Sequence, residues 1–156
     1  MRNSIKTLSL ILLLTLTIFS CKKEKDDDSA NESASQTITL KIDNEPEINY
    51  TDATGVVLSD KLVMNGSNSD SDIQISVDSD IAEGTYTSAT QVLMSHGVNG
   101  TGVFTTATNV TSFSFKVTGH SVSSKHIKGE FSINYTDNQN AGITHTATGT
   151  FDISYH

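Results

Sequence analysis

The sequence predicts an all-β fold, an antiparallel β-sandwich or flattened barrel of about 7–9 strands. Three observations lead there. Apolar and polar residues alternate with period two in many short segments of residues 37–156. Such alternation marks strands with one buried face. No long segment has the 3.6-residue periodicity of a helix. Clusters of Gly, Asn, Asp and Ser separate the alternating segments, as turns require.

The strands follow in order. Ile38, Leu40 and Ile42 alternate with Thr39 and Lys41. Val56-Val57-Leu58, Leu62-Val63-Met64 and Val92-Leu93-Met94 are short apolar runs and weaker strand candidates. Ile73, Ile75 and Val77 alternate with Gln74 and Ser76. Phe113, Phe115 and Val117 alternate with Ser114 and Lys116. Ile127, Phe131, Ile133 and Tyr135 form the next apolar face, and Ala147, Phe151, Ile153 and Tyr155 the last. Turns fall at Asp43-Asn44, Gly66-Ser67-Asn68, Glu83-Gly84, Asn99-Gly100 and residues 137–142. One polar face per strand implies antiparallel sheets over a shared core.

Charge selects the register of the last three strands. With Val117 opposite Gly129, Phe115 faces Phe131 and Lys116 faces Glu130. A slide of two residues sets Lys116 against Lys128, which is unfavourable. With Gly129 opposite Phe151, Phe131 meets Gly149, and Lys128 meets Asp152. Each aromatic ring then covers a glycine. The same register sets His120 opposite His126 across the loop 121–125.

Residues 1–20 predict a signal peptide and residues 21–36 a tether, leaving 37–156 as the β domain. Arg2 and Lys6 precede an apolar run from Leu8 to Phe19. That run is too short for a membrane-spanning helix, which needs ~20 residues, but has the layout of a secretory signal. Cys21, the only cysteine, follows Ser20 directly. This arrangement resembles a bacterial lipoprotein signal, which implies cleavage before Cys21 and lipid on its sulfur. The residue before Ser20 is Phe19, where that motif usually has a small residue. Residues 22–36 (KKEKDDDSANESASQ) hold no aliphatic or aromatic residue larger than Ala. Such a segment buries too little apolar area to offset its ordering entropy. Lys25-Asp26-Asp27-Asp28 resembles the export signal of Bacteroidota-type surface lipoproteins, and a solvated spacer is the other reading. Asp28-Ser29-Ala30 is similar to the short O-glycosylation motif of the same bacteria.

The ends of the domain extend the resemblance. IKGEFSINYTDNQNAGITHTATGTFDISYH resembles the closing hairpin of small Bacteroidota-type envelope lipoproteins, and TITLKIDNEP their opening strand. The resemblance implies a β-sandwich at the outer membrane, at the cell surface or on the periplasmic face. It implies no activity.

Removal of residues 1–20 lowers Lys and Arg from 10 to 8 against 18 Asp and Glu, a formal charge of −10. That balance disfavours nucleic acid, whose phosphates need a basic surface. It also disfavours adsorption to anionic headgroups, so lipid must hold the chain. A domain of this length buries roughly two-thirds of its unfolded surface, enough for a core without disulfides.

Chemistry is sparse. His120 and His126 as a cross-strand pair suit a transition metal, but a third ligand is not evident. His145 reads as a rim histidine. Asp70, Asp72, Asp78 and Asp80 flank one strand and, with Asp60 and Glu83, could gather oxygen ligands for calcium, but they lack the D-x-[DN]-x-[DN]-G spacing of a calcium loop. They read as solvated turns. The motifs G-x-S-x-G and His-Glu-x-x-His are missing, and GVNGTG at residues 97–102 lacks the Lys-Ser/Thr of a phosphate loop. The chain has no Trp, which leaves Tyr50 and Tyr86 as candidate exposed aromatics for a glycan. The sequence thus predicts a non-enzymatic envelope lipoprotein that binds or supports an envelope protein or glycan. Its site list is lipidation at Cys21, with no catalytic, cofactor or metal residue. A small-ligand or glycan-binding module is the alternative, and a hydrolase a third reading.

Overall fold

A computed structural model describes residues 36–137 and 142–156. The expected signal peptide, Cys21 and the tether up to residue 35 lie outside the described residues. Gln36, the last tether residue, docks on the domain: its Nε2 donates to Ser154 O at 3.1 Å, and its carbonyl accepts from Ala53 N at 3.1 Å.

The described residues form eleven strands: β1 Thr37–Ile42, β2 Ile48–Tyr50, β3 Thr54–Leu58, β4 Lys61–Ser67, β5 Ser71–Asp78, β6 Gly84–Tyr86, β7 Val92–Val98, β8 Thr101–Thr105, β9 Val110–Ser121, β10 His126–Thr136 and β11 Thr144–Ser154. They make two antiparallel sheets, of order β2-β1-β11-β10-β9-β6 and β3-β4-β5-β7-β8. The inner faces share one core, with Ile38, Leu40, Leu62, Met64, Ile75, Phe115, Ile133 and Phe151 essentially buried. The architecture is a β-sandwich and not a closed barrel.

The sheets meet at two edges through short links. Tyr155 bridges Gly55 in parallel, and Val57 N donates to His156 O at 3.0 Å. This covers the free edge of β3. At the other side Asn109 joins the sheets. Its Oδ1 accepts from Thr105 N at 2.9 Å, while its Nδ2 donates to Val103 O at 2.9 Å and to Thr136 O at 3.0 Å. The amide satisfies backbone groups of the edge strand β8, which would otherwise invite another chain.

Every strand expected from alternation is present. Strands β2, β6 and β8 were not expected. The first two have three residues each, too few for a period, and β8 (TGVFT) is masked by its glycine. The predicted register holds. Val117 pairs with Gly129, Phe115 with Phe131, Gly129 with Phe151, and Phe131 with Gly149. A Cβ at Gly129 would collide with the Phe151 ring, and one at Gly149 with the Phe131 ring. Aromatic cover of a strand glycine locks register because any slide opens a void or a clash. Phe115 and Phe151 stack at 4.8 Å between centroids. Lys116 Nζ lies 3.0 Å from Glu130 Oε1.

One part of the register fails. Lys128 pairs with Gly119, whereas Gly129 pairs with Val117, so Thr118 is an extra residue in β9. This β-bulge shifts everything beyond it by one position and turns His120 to the other face. His120 therefore pairs with Ile127, and His126 with Ser121. The expected His120–His126 pair does not form.

Candidate functional site

The central strands of the six-stranded sheet turn a polar face to solvent, because alternation puts Ser, Thr and charged residues there. Rows of partners cross it: Lys41–Thr148–Ser132–Ser114, and beside it Thr150–Glu130–Lys116. Between these rows lies a groove of about 380 Å³. Hydroxyls of Thr39, Ser114, Ser132, Thr148 and Thr150 line it, with Lys41 and Glu47 toward one edge and the Lys116–Glu130 pair toward the other.

Beside the groove the pairing of β1 with β11 is irregular. The β1–β11 ladder runs through Ile38–Phe151 and resumes at Lys41–Thr148, skipping Thr39 and Leu40. In the gap Thr150 N donates to Thr39 Oγ1 at 3.0 Å, and the two hydroxyls lie 3.0 Å apart. There a side-chain hydroxyl of β1 accepts from the β11 backbone. Gly149 is required there, since a Cβ would collide with Thr39 O as well as with Phe131. Hydroxyls both donate and accept, so this lining, with its two lysines and two glutamates, suits a polar partner surface.

The histidines are held by specific partners. His145 Nδ1 donates to Asp43 Oδ2 at 2.6 Å, and Asp43 Oδ1 accepts from Thr146 N at 2.8 Å. The Thr146 amide, then His145, holds the Asp43 carboxyl below its usual range. The His145 ring stacks on Tyr135, whose phenol burial pushes up to about 12. His145 is half-buried at the rim, as its sequence position suggested. His126 Nε2 donates to Asp152 Oδ1 at 2.6 Å. The register partner of Asp152 is Lys128, as expected, but its side-chain hydrogen bond is with His126. His120 Nδ1 donates to Ile81 O at 2.6 Å, and its Nε2 accepts from Tyr155 OH at 2.8 Å, tying the β5–β6 connection to the C-terminus.

His96, on β7, is 2% exposed. Its Nδ1 donates to Asp72 O at 2.7 Å, and its Nε2 has no hydrogen-bond partner. Burial lowers its pKa. It borders a second depression of about 320 Å³ over the β7–β8 turn, where Gly100 and Gly102 leave room. The GVNGTG stretch is thus a hairpin turn, with Asn99 and Gly100 both at positive φ.

Tyr50 is a correction. It is 1% exposed, and its hydroxyl lies 2.9 Å from Ser71 Oγ, so it offers no platform for a glycan. The signal that could have found this is Gly66, a mid-strand glycine whose Cβ would press on Tyr50. Tyr86 is half-buried, and its hydroxyl donates to Ala82 O at 2.8 Å. Asp70 and Asp72 sit at one end of β5 and Asp78 and Asp80 at the other, and Asp78 pairs with Lys61. Among the described residues no three His, Cys, Asp or Glu gather as metal ligands do.

In comparison with known proteins, the chain matches no family model and no curated protein at a significant level.

Proposed function

We propose that the chain is a non-enzymatic lipoprotein of the cell envelope, anchored in the outer membrane by lipid on Cys21. Its β-sandwich binds or supports another envelope component, a protein or a glycan, through the groove on the six-stranded sheet. The hydroxyl-lined groove carries the binding half of this reading. It lies across the central strands, where hydroxyls from β1, β11, β10 and β9 converge on one outer face. The position of Cys21 after the apolar run supports the anchoring half.

A photo-crosslinking residue at Thr148, in the groove, tests the binding half in intact cells. It should yield a discrete adduct that the same residue at Gln74, on the opposite sheet, does not give. Identical adducts from both positions, or none from Thr148 with bound glycan also undetected, would refute the groove as the contact surface.

A further inference from the structure

Hydrogen bonds are unevenly distributed over the outer face of the six-stranded sheet. Three rows of side chains cross β11, β10 and β9 side by side. In the first, Thr146 Oγ1 donates to Asn134 Oδ1 at 2.9 Å, and Asn134 Nδ2 donates to Ser112 Oγ at 3.0 Å. In the third, the Thr150 hydroxyl lies 3.0 Å from that of Thr39 on β1, and Lys116 Nζ donates to Glu130 Oε1 at 3.0 Å. The row between them is Thr148, Ser132 and Ser114, set in line by the registers Thr148–Ser132 and Ser132–Ser114. Among the described residues, none of its three hydroxyls has a hydrogen-bond partner. All three line the groove. Lys41, the register partner of Thr148, and Glu47 extend the line at its β1 end, and neither forms an ion pair among the described residues.

We propose that this middle row is where the groove holds its ligand, and that the ligand is a glycan lying across the strands. The inference rests on the groove as the contact surface. Chemistry selects the occupant. Each open hydroxyl donates and accepts, and a sugar hydroxyl does the same. Lys41 and Glu47 add a free donor and a free acceptor at the end of the line. Spacing agrees. Neighbouring strands set the three hydroxyls ~4.8 Å apart, close to the length of one sugar ring along a glycan. An extended polypeptide repeats on one face only every second residue, about 6.6 Å, and falls out of step with the row. Nor can a polypeptide add a strand here, because β11 and β10 are each paired on both sides. A protein partner would also need an apolar anchor, and Phe131, the aromatic residue among the lining, is 3% exposed. The groove volume of about 380 Å³ is that of a small-ligand cleft. Ring edges are held by hydrogen bonds and not by stacking, so affinity depends on how many sugar rings lie on the row.

Affinity electrophoresis tests this. The full chain, in uncharged detergent, is run through native gels cast with polysaccharide extracted from the envelopes of the cells that make it. The expected result is retardation, with Ser114→Ala/Ser132→Ala/Thr148→Val raising the dissociation constant at least tenfold. These changes remove hydroxyls and nearly keep side-chain shape. Circular dichroism checks that the triple variant folds, and Ser132→Arg, which blocks the row from an exposed position, serves as a second disruptive variant. Ser76→Ala, on the opposite sheet, should leave retardation unchanged. Retardation that survives both disruptive variants overturns the proposal. Absence of retardation overturns it equally, and the crosslink from Thr148 then separates it from the reading it rests on. A peptide adduct keeps the groove as a contact surface for a protein, whereas no adduct removes the groove itself.

Discussion

Phe151→Ala should destabilise the domain by about 3–5 kcal/mol, the range for removing a buried aromatic ring. The upper part of that range applies because the site cannot collapse. Phe151 is 2% exposed, and its ring lies between Phe115, stacked at 4.8 Å, and the bare backbone of Gly129. Gly129 has no side chain to move into the void. Nor can one be supplied, since a Cβ at Gly129 would also strike the Lys116 carbonyl. Gly129→Ala should therefore destabilise on its own, and the Phe151→Ala/Gly129→Ala double variant should not recover stability. A domain of this size holds roughly 5–15 kcal/mol in all, so the single change removes a large share of it. Urea unfolding at constant m-value measures the difference, and Tm should fall on the order of 10–20 °C. Lys128→Ala is the control: its side chain is exposed on the other face, and the change should cost no more than ~1 kcal/mol. A loss below ~1 kcal/mol for Phe151→Ala, or rescue by Gly129→Ala, would refute the glycine-under-ring account of the register.

Cys21→Ser should release the domain from membranes, or leave it held only by an uncleaved signal. Wild-type partitioning with the signal removed would show that lipid on Cys21 is not the anchor. Limited proteolysis should cut within residues 22–35 and leave the β domain intact, whereas protection there would show that the tether packs on the domain. Tyr50→Phe should cost about 1 kcal/mol by denaturant unfolding, one buried hydrogen bond; Ser71 Oγ keeps its bond to Asn68 Oδ1 at 3.1 Å. Acid should weaken the fold in two windows. His96 has a folded pKa below its ordinary 6.5, so stability complete above 6.5 is lost as pH falls toward the folded value. Asp43, lowered from 3.8, adds a contribution present above 3.8 and lost as pH falls through its folded pKa. His96→Gln should flatten the decline just below pH 6.5 in pH-dependent urea melts, and an unchanged slope would remove His96 as its source.

The register of β9, β10 and β11 was legible because two independent signals coincide there. Opposite charges fix the outer face and rings over glycines fix the inner one, and only one alignment satisfies both. The bulge at Thr118 was not legible, since nothing local distinguishes Thr118-Gly119 from regular strand. One inserted residue leaves Lys116–Glu130 intact on its near side and reassigns His120 on its far side. The short strands β2 and β6 are formed by tertiary pairing with β1 and β9, not by their own pattern. Tyr50 illustrates the same limit. Its placement under the hairpin at Gly66 depends on the second sheet, although the ring-over-glycine rule that worked for Phe131 and Phe151 applies to it too. The groove on the six-stranded sheet is lined from four strands, with partners 111 residues apart in the Thr39–Thr150 contact. Its lining residues were readable as polar strand positions, but their convergence depends on long-range pairing. Short-range pattern thus assigns residues to faces, and long-range pairing decides which of those faces become surfaces that another molecule can use.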